Sequence, residues 1–109
     1  MIIYNAEING ELKTVVTEGD KIAAVEENRK DGDINADGCR LIPGLIDVHT
    51  HGCIGMDTMD ADFEPMCRFY AEHGTTSFLP TTMTMGYDSL LKVVNAKTDF
   101  AGANILGFH

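Results

Sequence analysis

The chain has 109 residues, 44% of them hydrophobic and 7% aromatic, with no tryptophan, a composition that supports one modest globular core. Its formal charge of −9 argues against a nucleic-acid-binding surface, because neutralising phosphates takes clustered Lys and Arg. The acidic residues are spread out as on a solvated surface, no apolar stretch approaches the roughly 20 residues of a membrane span, and Met1-Ile2-Ile3-Tyr4-Asn5 lacks the basic region of a signal peptide. The cysteines, Cys39, Cys53 and Cys67, form no Cys-x-x-Cys pair, and their odd number points to reduced thiols in a cytoplasmic protein.

Up to about residue 43 the chain reads as short strands and tight turns. A strand begins at Ile2-Ile3-Tyr4, and Asn9-Gly10 signals a hairpin turn with positive φ. A second strand covers residues 12–17, rich in β-branched side chains, and a third covers 21–25 after a turn at Gly19-Asp20. Residues 26–37 turn polar and read as an exposed loop; Cys39-Arg40-Leu41-Ile42 suggests one more short strand. Beyond Pro43 the pattern changes. An apolar strand runs into His49-Thr50-His51, followed by a loop with Gly52 and Gly55. A helix is expected over 63–73, with Asp62 as N-cap, Phe63, Met66 and Tyr70 on its buried stripe, and Gly74 after its end. Pro65 is tolerable there only in the first turn. Thr75-Thr76-Ser77-Phe78-Leu79 reads as a strand ended by Pro80. A second helix is expected over 88–98, burying Leu90, Leu91 and Val94, and a third strand over 104–108. Strand, helix, strand, helix, strand implies an α/β fold with a parallel sheet and right-handed crossovers.

The chemistry concentrates at Pro43-Gly44-Leu45-Ile46-Asp47-Val48-His49-Thr50-His51-Gly52. Strand side chains alternate between faces, so His49 and His51 project from one face. Parallel sheets gather ligands at the carboxyl ends of their strands, where His49, His51 and His109 all fall. Two neighbouring imidazoles at a strand end are a sound start to a divalent-metal site. They are only a start, because catalytic zinc usually takes three protein ligands and water. Asp47 shares their face and either orients an imidazole or bonds to backbone. Cys53 lies beyond the turn at Gly52 and reads as a plain loop cysteine. His73 belongs at a helix C-terminus, where the dipole favours a cation. Asp57, Asp60 and Asp62 lack calcium-loop spacing and suit capping and solvation. Thr81, Thr82 and Thr84 follow the second strand as a weak signal of a polar rim.

The stretch from Pro43 to Gly52 resembles the first barrel strand of the amidohydrolase superfamily. Glu18-Gly19-Asp20-Lys21-Ile22-Ala23-Ala24-Val25 resembles a strand of the small β-domain that precedes it. Three further stretches resemble N-acetylglucosamine-6-phosphate deacetylases more narrowly. They are His51-Gly52 through Asp57-Thr58-Met59-Asp60, His73-Gly74-Thr75-Thr76-Ser77-Phe78-Leu79-Pro80-Thr81-Thr82, and Ile105-Leu106-Gly107-Phe108-His109. The resemblance implies that residues 1–43 are part of a small β-sandwich domain. Residues 44–109 would be the N-terminal part of a (β/α)8 TIM barrel, incomplete because such barrels take about 250 residues.

The implied activity is hydrolysis of the acetamide of N-acetylglucosamine 6-phosphate to glucosamine 6-phosphate and acetate. The implied cofactor is a divalent metal, zinc or iron, held in part by His49 and His51, with Asp47 and His109 at the rim. The implied setting is a cytoplasmic homodimer acting on a small sugar phosphate, with no nucleic acid or membrane partner. Further ligands, among them a glutamate directly after the position of His109, and a catalytic aspartate are implied to lie outside these residues. This chain is therefore expected to be an inactive N-terminal part of a longer enzyme, with apolar edges that favour self-association. The competing readings are a dihydroorotase-like or allantoinase-like cyclic amidase, and a non-catalytic fragment.

Overall fold

A computed structural model describes residues 1–109, which form two compact units, Met1–Pro43 and Gly44–His109. In the first, β1 (Ile2–Ile8), β2 (Glu11–Glu18), β3 (Lys21–Glu27) and β4 (Ile34–Asn35) make one sheet in the order β3-β2-β1-β4. Asn9 and Gly10, at φ 53° and 86°, close the β1–β2 hairpin with the positive dihedrals that a two-residue turn demands. In β1 the register slips by one residue between Ile3 and Ala6. Asn5, at φ 54°, absorbs this bulge and exchanges hydrogen bonds of 2.8 and 2.6 Å with the Asn28 side chain.

Two expectations change here. The polar stretch 26–37 contains β4, paired in parallel with β1 through Ile3 to Ile34 and Tyr4 to Asn35; two residues are too few to show a periodicity. Residues 39–42 form no strand but one isolated bridge between Arg40 and Glu7. The Glu7 N–H donates to the Cys39 carbonyl, and the Leu41 N–H donates to the Glu7 carbonyl, both at 2.9 Å.

The second unit begins with β5 (Leu45–Thr50), a small hairpin of β6 (Gly52–Cys53) and β7 (Met56–Asp57), and a 3₁₀ turn at Thr58–Asp60. Asp57 and Asp60 cap that turn reciprocally, as their spacing suggests. Then come α1 (Glu64–Glu72), β8 (Thr75–Pro80), α2 (Tyr87–Val94) and β9 (Asn104–Ile105). Strands β5, β8 and β9 lie side by side, all parallel, so this unit has the alternating α/β order expected. Its core is Phe63, Met66, Cys67, Tyr70, Phe78, Val93 and Ala103.

Helix α1 buries Met66 and Tyr70 on the predicted stripe, with Phe63 just ahead of it. The cap position, however, belongs to buried Phe63, which already has helical dihedrals and offers no side-chain hydrogen bond. Asp62 therefore falls one residue too early to cap. At the other end Gly74, at φ 85°, donates its N–H to the Ala71 carbonyl, and His73 Nδ1 donates to the Phe69 carbonyl at 2.7 Å.

Helix α2 is shorter than expected and turned differently. It stops at Val94, where the Asn95 N–H and side-chain amide both donate to the Leu91 carbonyl, at 3.1 and 2.9 Å. Val93 is its only fully buried residue; Leu91 and Val94 are 37% and 45% exposed. Tyr87, Leu91 and Val94 make an outer stripe, and Ile46 and Val48 of the edge strand β5 are also exposed. The third strand is shorter too, yet the backbone stays alongside β8. Leu106 N–H donates to the Phe78 carbonyl and His109 N–H to the Pro80 carbonyl.

Phe78 joins the sheet to α1: it is fully buried and its ring lies 4.6 Å from that of Tyr70. Phe78→Ala should cost about 3–5 kcal/mol, read from urea denaturation followed by far-UV circular dichroism. An unchanged midpoint would mean that this core does not hold the unit together.

Candidate metal centre

Leu45, Ile46 and Val48 carry the chain through β5 to its carboxyl end, where His49 and His51 emerge. Their Nε2 atoms lie 3.3 Å apart, with the rings at 80°. The His51 Nδ1 sits 3.0 Å from the Thr81 carbonyl oxygen. A carbonyl only accepts, so Nδ1 carries the proton and Nε2 presents its lone pair. Both imidazoles are exposed. The Asp47 carboxylate accepts from the His49 backbone N–H at 3.0 Å; of its two readings, the backbone bond is the one observed. His109 comes to the same rim, its ring 4.6 Å from that of His49 and tilted 54°. The structure thus brings together His49, His51 and His109, with Asp47 bonded beneath them.

Two nitrogens on a tetrahedral zinc, each about 2.0–2.1 Å from it, stand about 3.3–3.4 Å apart. The observed separation and the His51 tautomer meet that requirement. No group of three or more His, Cys, Asp or Glu side chains is placed to hold an ion together, so His109 lies against His49 without completing a ligand set. The pair fits as half of a site. A cavity of about 620 Å³ in the first unit, bordered by Glu7, Asn9, Arg40 and Leu41, has no histidine or cysteine in its walls.

A polar network lies under the pair. The Thr50 hydroxyl meets the Tyr70 hydroxyl at 2.6 Å, while Thr58 Oγ1 donates to the Thr50 carbonyl at 3.3 Å. The Thr58 N–H donates to the His51 carbonyl at 2.8 Å. Thr81, only a weak rim candidate from sequence, is the hub. Its N–H donates to the Thr50 carbonyl at 2.7 Å, and its hydroxyl accepts from the Thr50 N–H at 3.1 Å. Thr50 and Tyr70 gave no chemical signal in sequence, because each reads as an ordinary element residue. Gly52, at φ 146°, turns the chain away after His51, and a Cβ there would strike the Met56 carbonyl.

Burial raises the Tyr70 hydroxyl pKa, an effect partly offset by the bond to Thr50. It also raises the Cys53 thiol, partly offset by Tyr70, and the Cys67 thiol. Cys53 packs against the core.

No family model matches the chain. A curated N-acetylglucosamine-6-phosphate deacetylase of Bacillus subtilis is 39% identical over 112 residues, covering 93% of this chain and 27% of the relative. The crystal structure of such a deacetylase from Thermotoga maritima superposes with a TM-score of 0.68 at 30% identity, over 96% of this chain and 31% of that one. A D-hydantoinase from Bacillus sp. AR9 does so with a TM-score of 0.64 at 26% identity, over 99% of this chain and 26% of that one. The chain therefore resembles N-acetylglucosamine-6-phosphate deacetylases along nearly its whole length while spanning just over a quarter of the curated Bacillus subtilis relative.

The three cysteines are free, with Cys39 exposed and Cys67 buried. A raised thiol pKa leaves less reactive thiolate at a given pH. Iodoacetamide at pH 8 should label Cys39 well before Cys53 and Cys67, and labelling of those two should rise as the pH is raised. Equal rates at all three, read by peptide mass spectrometry, would contradict the burial described.

Proposed function

We propose that this chain is part of a metal-dependent deacetylase that hydrolyses the acetamide of N-acetylglucosamine 6-phosphate to glucosamine 6-phosphate and acetate. In this reading His49 and His51 are metal ligands, and Asp47 and His109 stand at the rim. The observation that carries it is the pair of Nε2 atoms, 3.3 Å apart, in a chain 39% identical to a deacetylase. Residues 1–43 are read as part of a small β-sandwich domain and residues 44–109 as the opening strand–helix–strand–helix–strand of a (β/α)8 barrel. The parallel order of β5, β8 and β9 supports the barrel reading.

The cofactor proposed is a divalent cation, zinc or iron, both suited to imidazole. What such a cation supplies when bound is Lewis acidity, which polarises the amide carbonyl and makes water nucleophilic near neutral pH. This chain's own residues do the holding. His51 offers Nε2 because Nδ1 is committed to the Thr81 carbonyl, and His49 offers its Nε2 beside it. Neither histidine is assigned a proton-transfer role. The whole protein is read as a cytoplasmic homodimer with a small sugar phosphate as substrate. Free cysteines support a reducing compartment, and no helix is long and apolar enough to cross a membrane.

The similarity to a D-hydantoinase favours one second reading, a cyclic amidase built on the same strand. The whole protein should release acetate from N-acetylglucosamine 6-phosphate and leave hydantoin and dihydroorotate intact; ring opening without acetate would reverse the assignment. Replacing His49 and His51 together by Ala should remove about one equivalent of bound metal, measured by atomic emission, and abolish acetate release. Unchanged metal content would sink the ligand assignment.

A further inference from the structure

We infer that Thr81 and Asp47 are the positioning residues of the histidine pair, holding a bulge in β5 that brings the two imidazoles together. The inference rests on the reading of His49 and His51 as metal ligands. In a regular strand, residues two apart stand about 6.5–7 Å from each other, with parallel side chains. His49 and His51 are two apart, yet their Nε2 atoms approach to 3.3 Å. The strand is not regular there. Asp47 pairs with Phe78 and Thr50 with Pro80, so three steps along β5 match two along β8. One extra residue has been inserted at Val48-His49. Bulges of this kind re-aim side chains and leave backbone groups outside the ladder.

Side chains satisfy the backbone groups around the insertion. The His49 N–H is taken by the Asp47 carboxylate at 3.0 Å. The Thr50 N–H is taken by the Thr81 hydroxyl at 3.1 Å. Thr81 also grips both sides of the junction through its backbone, donating its N–H to the Thr50 carbonyl at 2.7 Å and accepting from His51 Nδ1 at 3.0 Å. It is 4% exposed, so water offers the Thr50 N–H no ready substitute. Without the hydroxyl, a buried donor loses its acceptor, and the bulge relaxes toward plain pairing. The carbonyl that sets the His51 tautomer then moves as well. Asp47 and Thr81 bond to the strand backbone and the His51 ring; they act through the orientation of His49 and His51.

The test uses the whole protein, prepared without metal and titrated with Zn²⁺. Thr81→Val keeps the volume and removes the hydroxyl, whereas Thr81→Ser restores it. Asp47→Ala removes the acceptor, whereas Asp47→Asn keeps an amide oxygen in its place. In the metal-free whole protein, ¹⁵N NMR of the His51 ring should report the proton on Nδ1 in wild type and Thr81→Ser, and a mixture of tautomers in Thr81→Val. Calorimetric titration should show Zn²⁺ binding weakened about 10- to 100-fold in Thr81→Val and Asp47→Ala, with Thr81→Ser and Asp47→Asn close to wild type. Folded Thr81→Val and Asp47→Ala proteins that keep the wild-type tautomer and affinity would overturn the inference. If Thr81→Val does not fold, the Asp47 variants decide it. If wild type takes up no Zn²⁺, the metal reading fails, and the tautomer comparison still decides whether these residues position the ring.

Discussion

The parallel pairing of β5 with β8 is the constraint on which the rest of the second unit depends. It sets the carboxyl end of β5 beside the turn that follows Pro80, so the chain after β8 supplies the groups that hold the chain leaving β5. Pro80 cannot donate to the ladder, and the next residue, Thr81, does the joining instead, by N–H, carbonyl and hydroxyl. The third strand extends the arrangement, because His109 is bonded between the Pro80 and Thr82 backbones and so reaches the rim that carries His49. Three segments distant in sequence thus present imidazoles or their supports at one end of one sheet.

The same register ties the site to the core. Thr50 stands between the two histidines and points the other way, into contact with Tyr70, whose ring packs on Phe78. Alternation accounts for this end of the strand, where buried Thr50 stands between exposed His49 and His51. Polar groups buried on the inner face are satisfied in pairs, Thr50 with Tyr70 and Thr58 with the Thr50 and His51 backbones. Unpaired, each would cost about 1–3 kcal/mol. The histidines therefore stand on a strand end fastened from beneath, which suits a metal site, where ligand orientation governs affinity.

Some elements were legible in the chain because their signal is local. Asn9-Gly10 names its turn by needing two positive dihedrals, Gly74 ends its helix for a similar reason, and Phe63, Met66 and Tyr70 mark one face by spacing. Where the outcome depends on a neighbour, sequence misled. Leu91 and Val94 were as apolar as any inward stripe, but Val93 faces the core. Strand β4 is defined by its partner β1 alone. Asp62 looked like a cap until buried Phe63 took that position.

At the candidate site the division is the same. Sequence alone determined that two imidazoles would lie at the carboxyl end of an apolar strand, because alternation and strand polarity are properties of the backbone. It also marked His109 as a rim residue, which lies beside His49 although the strand before it ends at Ile105. Tertiary structure decided that the two Nε2 atoms meet at 3.3 Å, that Asp47 bonds to a backbone N–H rather than to a ring, and that Thr81 is the hub. The physical reason is register. A one-residue bulge exists only between two paired strands, and the Thr50 N–H beside it finds its partner across 31 residues of sequence, a distance over which no local pattern carries information.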